Sequence, residues 1–208
     1  MCRSRRLLLH CCCGPCSLAV AKHFQSLGYD VTPFFFNPNI HPPEELARRQ
    51  AAMDEAARAA GLPPAGSGPG MALGEFLLRL ARSPGRRCRA CYQLRLDQAA
   101  RAAAAGGYDA FATTLTISPY QHLPAIAEAG ESAARAAGVR FVFADLREHY
   151  HTSADRAREL DLYRQNYCGC LFSALERAER RSRRAIAKAL QQVYGLRFTV
   201  HGIRRDRR

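Results

Sequence analysis

Short apolar runs of β type alternate along the chain with segments whose apolar residues recur at helical spacing. Leu7 to His10 reads as a first strand, and Ser17 to Leu27 as a helix ended by Gly28. Val31 to Phe36 is a second, strongly aromatic strand stopped by Asn37-Pro38, and Glu44 to Ala60 is helical up to Gly61. The stretch from Leu62 to Gly70 is too rich in Pro and Gly for either element and reads as a loop. Helices follow at Ala72 to Ala81 and at Ala90 to Ala105, the second preceded by Cys88. Tyr108 to Leu115 is a third strand, His122 to Ala137 a helix, Val139 to Ala144 a fourth strand, and Ser153 to Tyr163 and Leu171 to Tyr194 are closing helices. Strands alternating with helices imply right-handed crossovers, so the pattern predicts an α/β, three-layer domain with a mainly parallel sheet, plus C-terminal helices.

Length fits that picture: 208 residues that are 48% hydrophobic can fill one sizeable core. We expect a single domain over residues 1–208, with residues 1–150 as the α/β core and residues 151–208 as a helical extension. There is no internal repeat. No apolar stretch approaches the roughly 18 residues that a bilayer span needs, and the run after Arg6 is too short for a secretory signal. The expected location is cytoplasmic, with no membrane partner.

The formal charge of +13 points to a polyanionic partner, since cations that neutralise phosphates gain free energy by counterion release. Almost all the basic residues are Arg, with Lys only at positions 22 and 188, which a GC-rich genome would produce without any function. Their distribution is more informative. From Leu171 to Arg208 eleven basic residues stand against three acidic ones. On a helix Arg177, Arg180, Arg181, Arg184 and Lys188 share one face, opposite Leu171, Phe172, Leu175, Ile186, Leu190 and Val193. The expected helix docks by its apolar side and shows solvent a stripe that is either a phosphate-binding surface or a solvated face.

Cysteine carries the chemistry. The nine cysteines include the run Cys11-Cys12-Cys13-Gly14-Pro15-Cys16 directly after the first strand, and the pairs Cys88/Cys91 and Cys168/Cys170. In a reducing compartment such clusters argue for metal binding or redox chemistry rather than disulfides. In open α/β sheets, sites form at the carboxyl ends of the strands, where the cysteine run and the segments Asn37 to Pro42, Thr113 to His122 and Asp145 to Arg147 all fall. Three chemistries compete. Cys13-Gly-Pro-Cys16 matches the thioredoxin tetrapeptide, so a thiol-disulfide oxidoreductase is one alternative. It lacks the preceding Trp, and it leaves the remote pairs without a task. Cys88, Cys91, Cys168 and Cys170 would suit structural zinc in a nucleic-acid-binding module, but then Cys12, Cys13 and Cys16 are idle. A site with more than four thiolate candidates suits iron and sulfide better. A PP-loop nucleotide enzyme would need a Ser-Gly-Gly-x-Asp-Ser phosphate loop where the cysteines stand.

Five blocks in order, His10-Cys-Cys12-Cys13-Gly-Pro-Cys16-Ser17, Asn37-Pro-Asn-Ile-His-Pro42, Arg87-Cys88-Arg-Ala-Cys91-Tyr-Gln-Leu-Arg95-Leu96, Phe111-Ala-Thr-Thr-Leu-Thr-Ile-Ser-Pro-Tyr-Gln-His122 and Tyr163-Arg-Gln-Asn-Tyr-Cys168-Gly-Cys170, make the chain resemble the QueH-type epoxyqueuosine reductases over residues 10–173. The resemblance implies a Rossmann-like domain and an enzyme of queuosine biosynthesis acting on epoxyqueuosine at the wobble position of a tRNA anticodon. It further implies loss of the epoxide oxygen, a 4Fe-4S cluster with an additional iron, no cobalamin, and an unidentified electron donor. Two features depart from the pattern. Gly61 to Gly70 stands where the family would continue with a short strand, which is expected to be lost or displaced here. Cys11 falls at a variable position and Cys2 precedes the first strand, so both are left out of the ligand set.

The implied cluster and iron ligands are Cys12, Cys13, Cys16, Cys88, Cys91, Cys168 and Cys170. Seven thiolates exceed the four of a cluster and leave some for a neighbouring iron. Deoxygenation also needs a proton donor, for which His122, Tyr120, His10 and Asp145 are the candidates in that order; each His could equally be a loop anchor, and Asp145 could pair with Arg147. Arg95, Arg147 and Arg164 are expected to grip phosphate near the mouth, and the Arg177 to Lys188 stripe a more distant part of the RNA backbone.

Overall fold

In the computed structural model, which describes residues 4–83 and 85–194, Leu7, Leu8 and Leu9 are all buried on a strand, β1 (Arg5–His10), with a parallel neighbour on each side. A strand covered on both faces has no polar side, so its apolar residues run consecutively instead of alternating. Cys2, the side chains of Leu190 and Val193, and the basic residues Arg197, Arg204, Arg205, Arg207 and Arg208 lie outside the described residues.

The chain divides into two units, residues 1–164 and 165–208. In the first, β2 (Tyr29–Phe35), β3 (Gly66–Ser67), β4 (Ala110–Thr113) and β5 (Arg140–Phe141) join β1 in an all-parallel sheet of order β3-β2-β1-β4-β5. This is the α/β architecture expected from the alternation. The short strand expected to be lost or displaced is present: Gly66 and Ser67 pair with Phe34 and Phe35 through their backbones alone, which no side-chain pattern announces. The last strand is shorter than Val139 to Ala144, since only Arg140 and Phe141 pair in register with β4, and Val142 adds a single bond from its N–H to the Phe111 carbonyl. The third strand ends at Thr113, after which Thr114–Ile117 tighten into a 3-10 turn.

Leu7 and Leu9 share one face with Val20 and Phe24 of α1 (Gly14–Ser26) and with Met53 and Ala57 of α2 (Pro43–Ala59). Leu8, one residue out of phase, faces the other side. There α4 (Arg87–Ala105) packs on α5 (Leu123–Ala137) and contacts α3 (Leu73–Ala81). Gly130 of α5 lies so close over Phe141 that a Cβ would come within 2.2 Å of the ring. Helix α6 (Tyr150–Glu159), assigned from the sequence to the C-terminal extension, belongs to the first unit, where Ser153 donates to the carbonyl of Pro15 and Ala157 is buried with Ala56. Among the described residues no helix is long and apolar enough to cross a membrane.

The second unit carries α7 (Leu171–Tyr194). Arg180, Arg181, Arg184 and Lys188 are exposed and Arg177 half-buried, as the stripe requires. On the opposite face Leu175 is 69% and Ile186 59% exposed, and the described part of this unit holds no second element to cover them.

Candidate metal centre

The order of the sheet places the cysteine run at its one reversal of direction. From β1 the chain moves to β2 on one side, whereas β4 and β5 lie on the other. Strand ends at such a switch point diverge and leave a crevice. The loop after β1 and the 3-10 turn after β4 are therefore neighbours, and a pair of contacts records it. Thr114 Oγ1 donates to Cys12 Sγ at 3.4 Å and accepts the Cys12 backbone N–H at 3.1 Å.

Helix α1 begins immediately after Cys13, whose extended backbone (φ −172°, ψ 161°) is that of an N-cap. Pro15 suits the first turn, where its missing N–H would have had no partner. The helix thus starts about one turn before Ser17, where the sequence pattern alone places it. Gly14 is required by packing, since a Cβ there would lie 2.1 Å from the carbonyl oxygen of Ala52 on α2. That close approach fixes the first turn of α1 and with it the positions of Cys13 and Cys16.

The sulfur atoms of Cys12, Cys13 and Cys16 all lie within 4.8 Å of one another. Cys12 and Cys13 sulfurs are 3.8 Å apart, the roughly 3.8 Å edge expected when two sulfurs sit about 2.3 Å from one tetrahedral ion. Cys13 is fully buried, Cys12 and Cys16 half-buried. The trio holds its first negative charge on Cys12. Hydrogen bonds from the Cys13 and Cys16 thiols pull the Cys12 thiol well below its ordinary value, helped by the Arg95 charge and by Thr114. The same sharing pushes Cys13 up to about 12 and raises Cys16, first through their hydrogen bonds to Cys12. A cation in the nest would remove that conflict by stabilising all three thiolates. As a thioredoxin-type nucleophile Cys13 is unsuited, being buried and held as a thiol.

Below the thiols lies a buried polar network that the sequence did not reveal. Arg95, 2% exposed on α4, donates to Asn37 Oδ1 at 2.6 Å, and Asn37 Nδ2 donates to the Cys11 carbonyl at 2.9 Å. Arg95 thus lies beneath the site and is not at the surface to meet a phosphate, as had been expected of it. His10 is fully buried, with Nε2 3.2 Å from the Phe36 carbonyl and Nδ1 2.9 Å from Thr113 Oγ1. A carbonyl only accepts, so the proton sits on Nε2 and Nδ1 receives the threonine hydroxyl. Burial, with the Arg95 charge, lowers its pKa to about 3. His10 is therefore a neutral pin between β1, β2 and β4, its one ring proton engaged by the Phe36 carbonyl, and does not serve as an acid near neutral pH. Cys11 is fully buried in the core, its thiol donating to the Leu9 carbonyl at 3.2 Å, and burial keeps its pKa well above the ordinary value.

The other candidates of the first unit are spread along the rim. His122 caps α5, its Nδ1 accepting from Ala125 N at 3.1 Å, which leaves Nε2–H on an exposed ring. Tyr120 is 70% exposed. Asp145 is gripped by Arg147 through contacts of 2.9 and 2.6 Å, and the guanidinium holds its carboxyl below the usual range. Asp145 is thus ionised near neutral pH and is not a proton source, and Arg147 is already engaged. Arg164 is exposed at the end of the first unit. Just before it, Tyr163 donates to Glu45 Oε2, and the buried Glu45 also accepts from Arg49 Nε at 2.8 Å. Cys88 and Cys91 occupy the first turns of α4 three residues apart and hence on one side of it, Cys88 exposed and Cys91 half-buried. In the second unit Cys170 caps α7, its sulfur accepting from Ser173 N at 3.4 Å, and Cys168 is exposed. Sequence reasoning missed Tyr150, which packs against the same core cluster as Cys16 and stacks edge-on with Tyr120 at 6.1 Å.

Residues 7–176 match the family described as Epoxyqueuosine reductase QueH. A protein of that name from Dehalococcoides mccartyi is 40% identical over 173 residues, which cover 83% of this chain and 94% of its own length. Its namesake from Thermotoga maritima is 33% identical over 84% of this chain and 93% of its own. Among solved structures, a predicted tRNA methyltransferase subunit from Methanocaldococcus jannaschii aligns with 74% of this chain and 75% of its own at 16% identity and a TM-score of 0.49.

Proposed function

This chain belongs to the epoxyqueuosine reductase QueH family, and from that membership we propose that it deoxygenates epoxyqueuosine to queuosine at the wobble position of a tRNA anticodon. The observation that carries the chemistry is the nest of three thiols within 4.8 Å at the switch point of the sheet. Neither alternative is favoured: thiol exchange would need an accessible Cys13, and a zinc staple would leave the best-formed thiol cluster without a role.

Removing the epoxide oxygen breaks two C–O bonds, forms a C=C bond, consumes two electrons and two protons and releases water. The thiol nest fits a thiolate-bound metal, and we assign to the seven cysteines Cys12, Cys13, Cys16, Cys88, Cys91, Cys168 and Cys170 a 4Fe-4S cluster with an additional iron. When bound, such a centre supplies electrons one at a time and a Lewis-acidic iron for the oxygen. The protein's own part is to hold the ligands and a proton source. Cys12 offers a thiolate supported by Thr114 and Arg95, and Gly14 lets α1 sit close enough to α2 to present Cys13 and Cys16. His122, exposed on the rim, is the proton donor in its imidazolium form, which requires Nδ1 to give up the bond it accepts from Ala125 N.

An anticodon loop presents its bases unstacked at little cost, which suits a site set between diverging strands. The stripe Arg177, Arg180, Arg181, Arg184 and Lys188 on α7, together with Arg164, supplies phosphate contacts. Electrons come from an external donor, and the setting is cytoplasmic. The test is anaerobic purification followed by incubation with a reductant and tRNA carrying epoxyqueuosine. Brown protein with about four or more irons per chain, and a nucleoside that loses one oxygen, support the reading. Replacing the seven cysteines singly and counting iron assigns the ligands. Colourless zinc protein, or metal-free protein that reduces insulin disulfides, overturns it.

A further inference from the structure

One aromatic side chain stands out at the rim. Tyr120, on the loop leaving the 3-10 turn after β4, leaves 70% of its surface in water. Its loop is nonetheless fixed. Tyr120 N and Gln121 N both bond to Ser118, Gln121 Oε1 accepts from Tyr92 on α4 at 2.7 Å, and His122 N donates to the same Tyr92 hydroxyl. The inner edge of the ring meets Tyr150, centroids 6.1 Å apart and planes at 84°. Tyr150 in turn is half-buried against the core cluster on which Cys16 also packs, and Ser153, one turn along α6, donates to the carbonyl of Pro15 beside Cys16. The two rings therefore lead from solvent to the thiol nest, with a rigid loop under the outer one. A ring so exposed adds little to folding.

We propose that Tyr120, buttressed edge-on by Tyr150, is the stacking platform that receives the extruded modified base of the tRNA and sets it beside the thiols. Aromatic stacking suits this task because every nucleobase offers a π face and an unstacked base in an anticodon loop seeks one. The role asks for a ring and not for its hydroxyl, which separates it from proton donation. It rests on the tRNA reading above.

The holoenzyme is assayed with tRNA carrying epoxyqueuosine. Tyr120→Leu raises KM about tenfold with kcat little changed and the thermal midpoint unaltered, whereas Tyr120→Phe behaves as wild type. The chain has no Trp, so Tyr120→Trp creates a single reporter whose emission falls when the substrate tRNA binds. The inference is overturned if Tyr120→Leu keeps the wild-type KM, if Tyr120→Phe is as impaired as Tyr120→Leu, or if the reporter is indifferent to the RNA. If wild-type enzyme leaves the epoxide intact, the tRNA reading itself fails and takes this inference with it; active wild type with indifferent Tyr120 variants removes the platform alone.

Discussion

Thr114 and Cys12 are joined twice, the threonine hydroxyl donating to the sulfur at 3.4 Å and accepting the cysteine's own N–H at 3.1 Å. One side chain thus orients both the thiolate and the backbone that carries it. Partners of this kind, one bond removed from a metal, commonly contribute a factor of roughly 10 to 100 in affinity. Thr114→Val, which keeps the shape and removes the hydroxyl, is expected to weaken metal retention by about that factor in a chelator competition, while Thr114→Ser retains wild-type behaviour.

Cys11 and Cys12 are adjacent in sequence and opposite in role. Cys11 points into the core and donates to Leu9, whereas Cys12 faces the other two thiols. Cys11→Ala should leave the metal content unchanged and lower stability by roughly 1 to 2 kcal/mol through the cavity it leaves. Cys12→Ala should do the reverse, losing metal with little change in the metal-free protein's thermal midpoint. Elemental analysis beside thermal denaturation of both variants checks the pair.

The order of elements and the thiol run were legible because both are local. An apolar run such as Leu7 to Leu9 says buried strand by itself, and four cysteines in six residues announce a ligand cluster wherever they fold. The misses have a common physical cause, since they depend on partners far away in sequence. β3 exists because the backbone of Gly66 and Ser67 finds Phe34 and Phe35, and most of Val139 to Ala144 fails to be strand because only Arg140 and Phe141 pair in register with β4. The sequence makes His10 a possible acid and Arg95 a phosphate contact, because polarity suggests exposure. Their partners, Thr113 and Asn37, are 103 and 58 residues away. Tyr150 had no signal of its own, and only the packing of α6 brings it to the thiols.

Gly14 tests whether the nest depends on helix packing. A methyl group there meets the Ala52 carbonyl at 2.1 Å, a backbone atom that cannot swing aside. Gly14→Ala must therefore push α1 away from α2, at a cost of about 1 to 3 kcal/mol for overpacking. Because the same turn carries Cys13 and Cys16, metal content should fall together with the midpoint of chemical denaturation. A variant that is destabilised but fully loaded would show that the thiol positions do not depend on this contact.

Arg95 and the α7 stripe are both basic, and they should separate cleanly. Arg95 is 2% exposed, bonded to Asn37, and its charge favours the Cys12 thiolate. A guanidinium in that position acts on the thiols, so Arg95→Met should reduce metal loading and leave the salt dependence of tRNA binding as it is in wild type. The exposed residues Arg180, Arg181, Arg184 and Lys188, with half-buried Arg177, should give the opposite result. Changing all five to Gln is expected to lower tRNA affinity and flatten its dependence on salt, since each lost phosphate contact removes about one unit from the slope of log affinity against log salt, while iron content stays at the wild-type level. Binding isotherms at several salt concentrations, run beside iron counts on the same preparations, check both halves. Equal affinity and equal slope in the Gln variant would remove the stripe from the RNA surface, and a reduced slope in Arg95→Met would place that residue at the phosphate backbone after all.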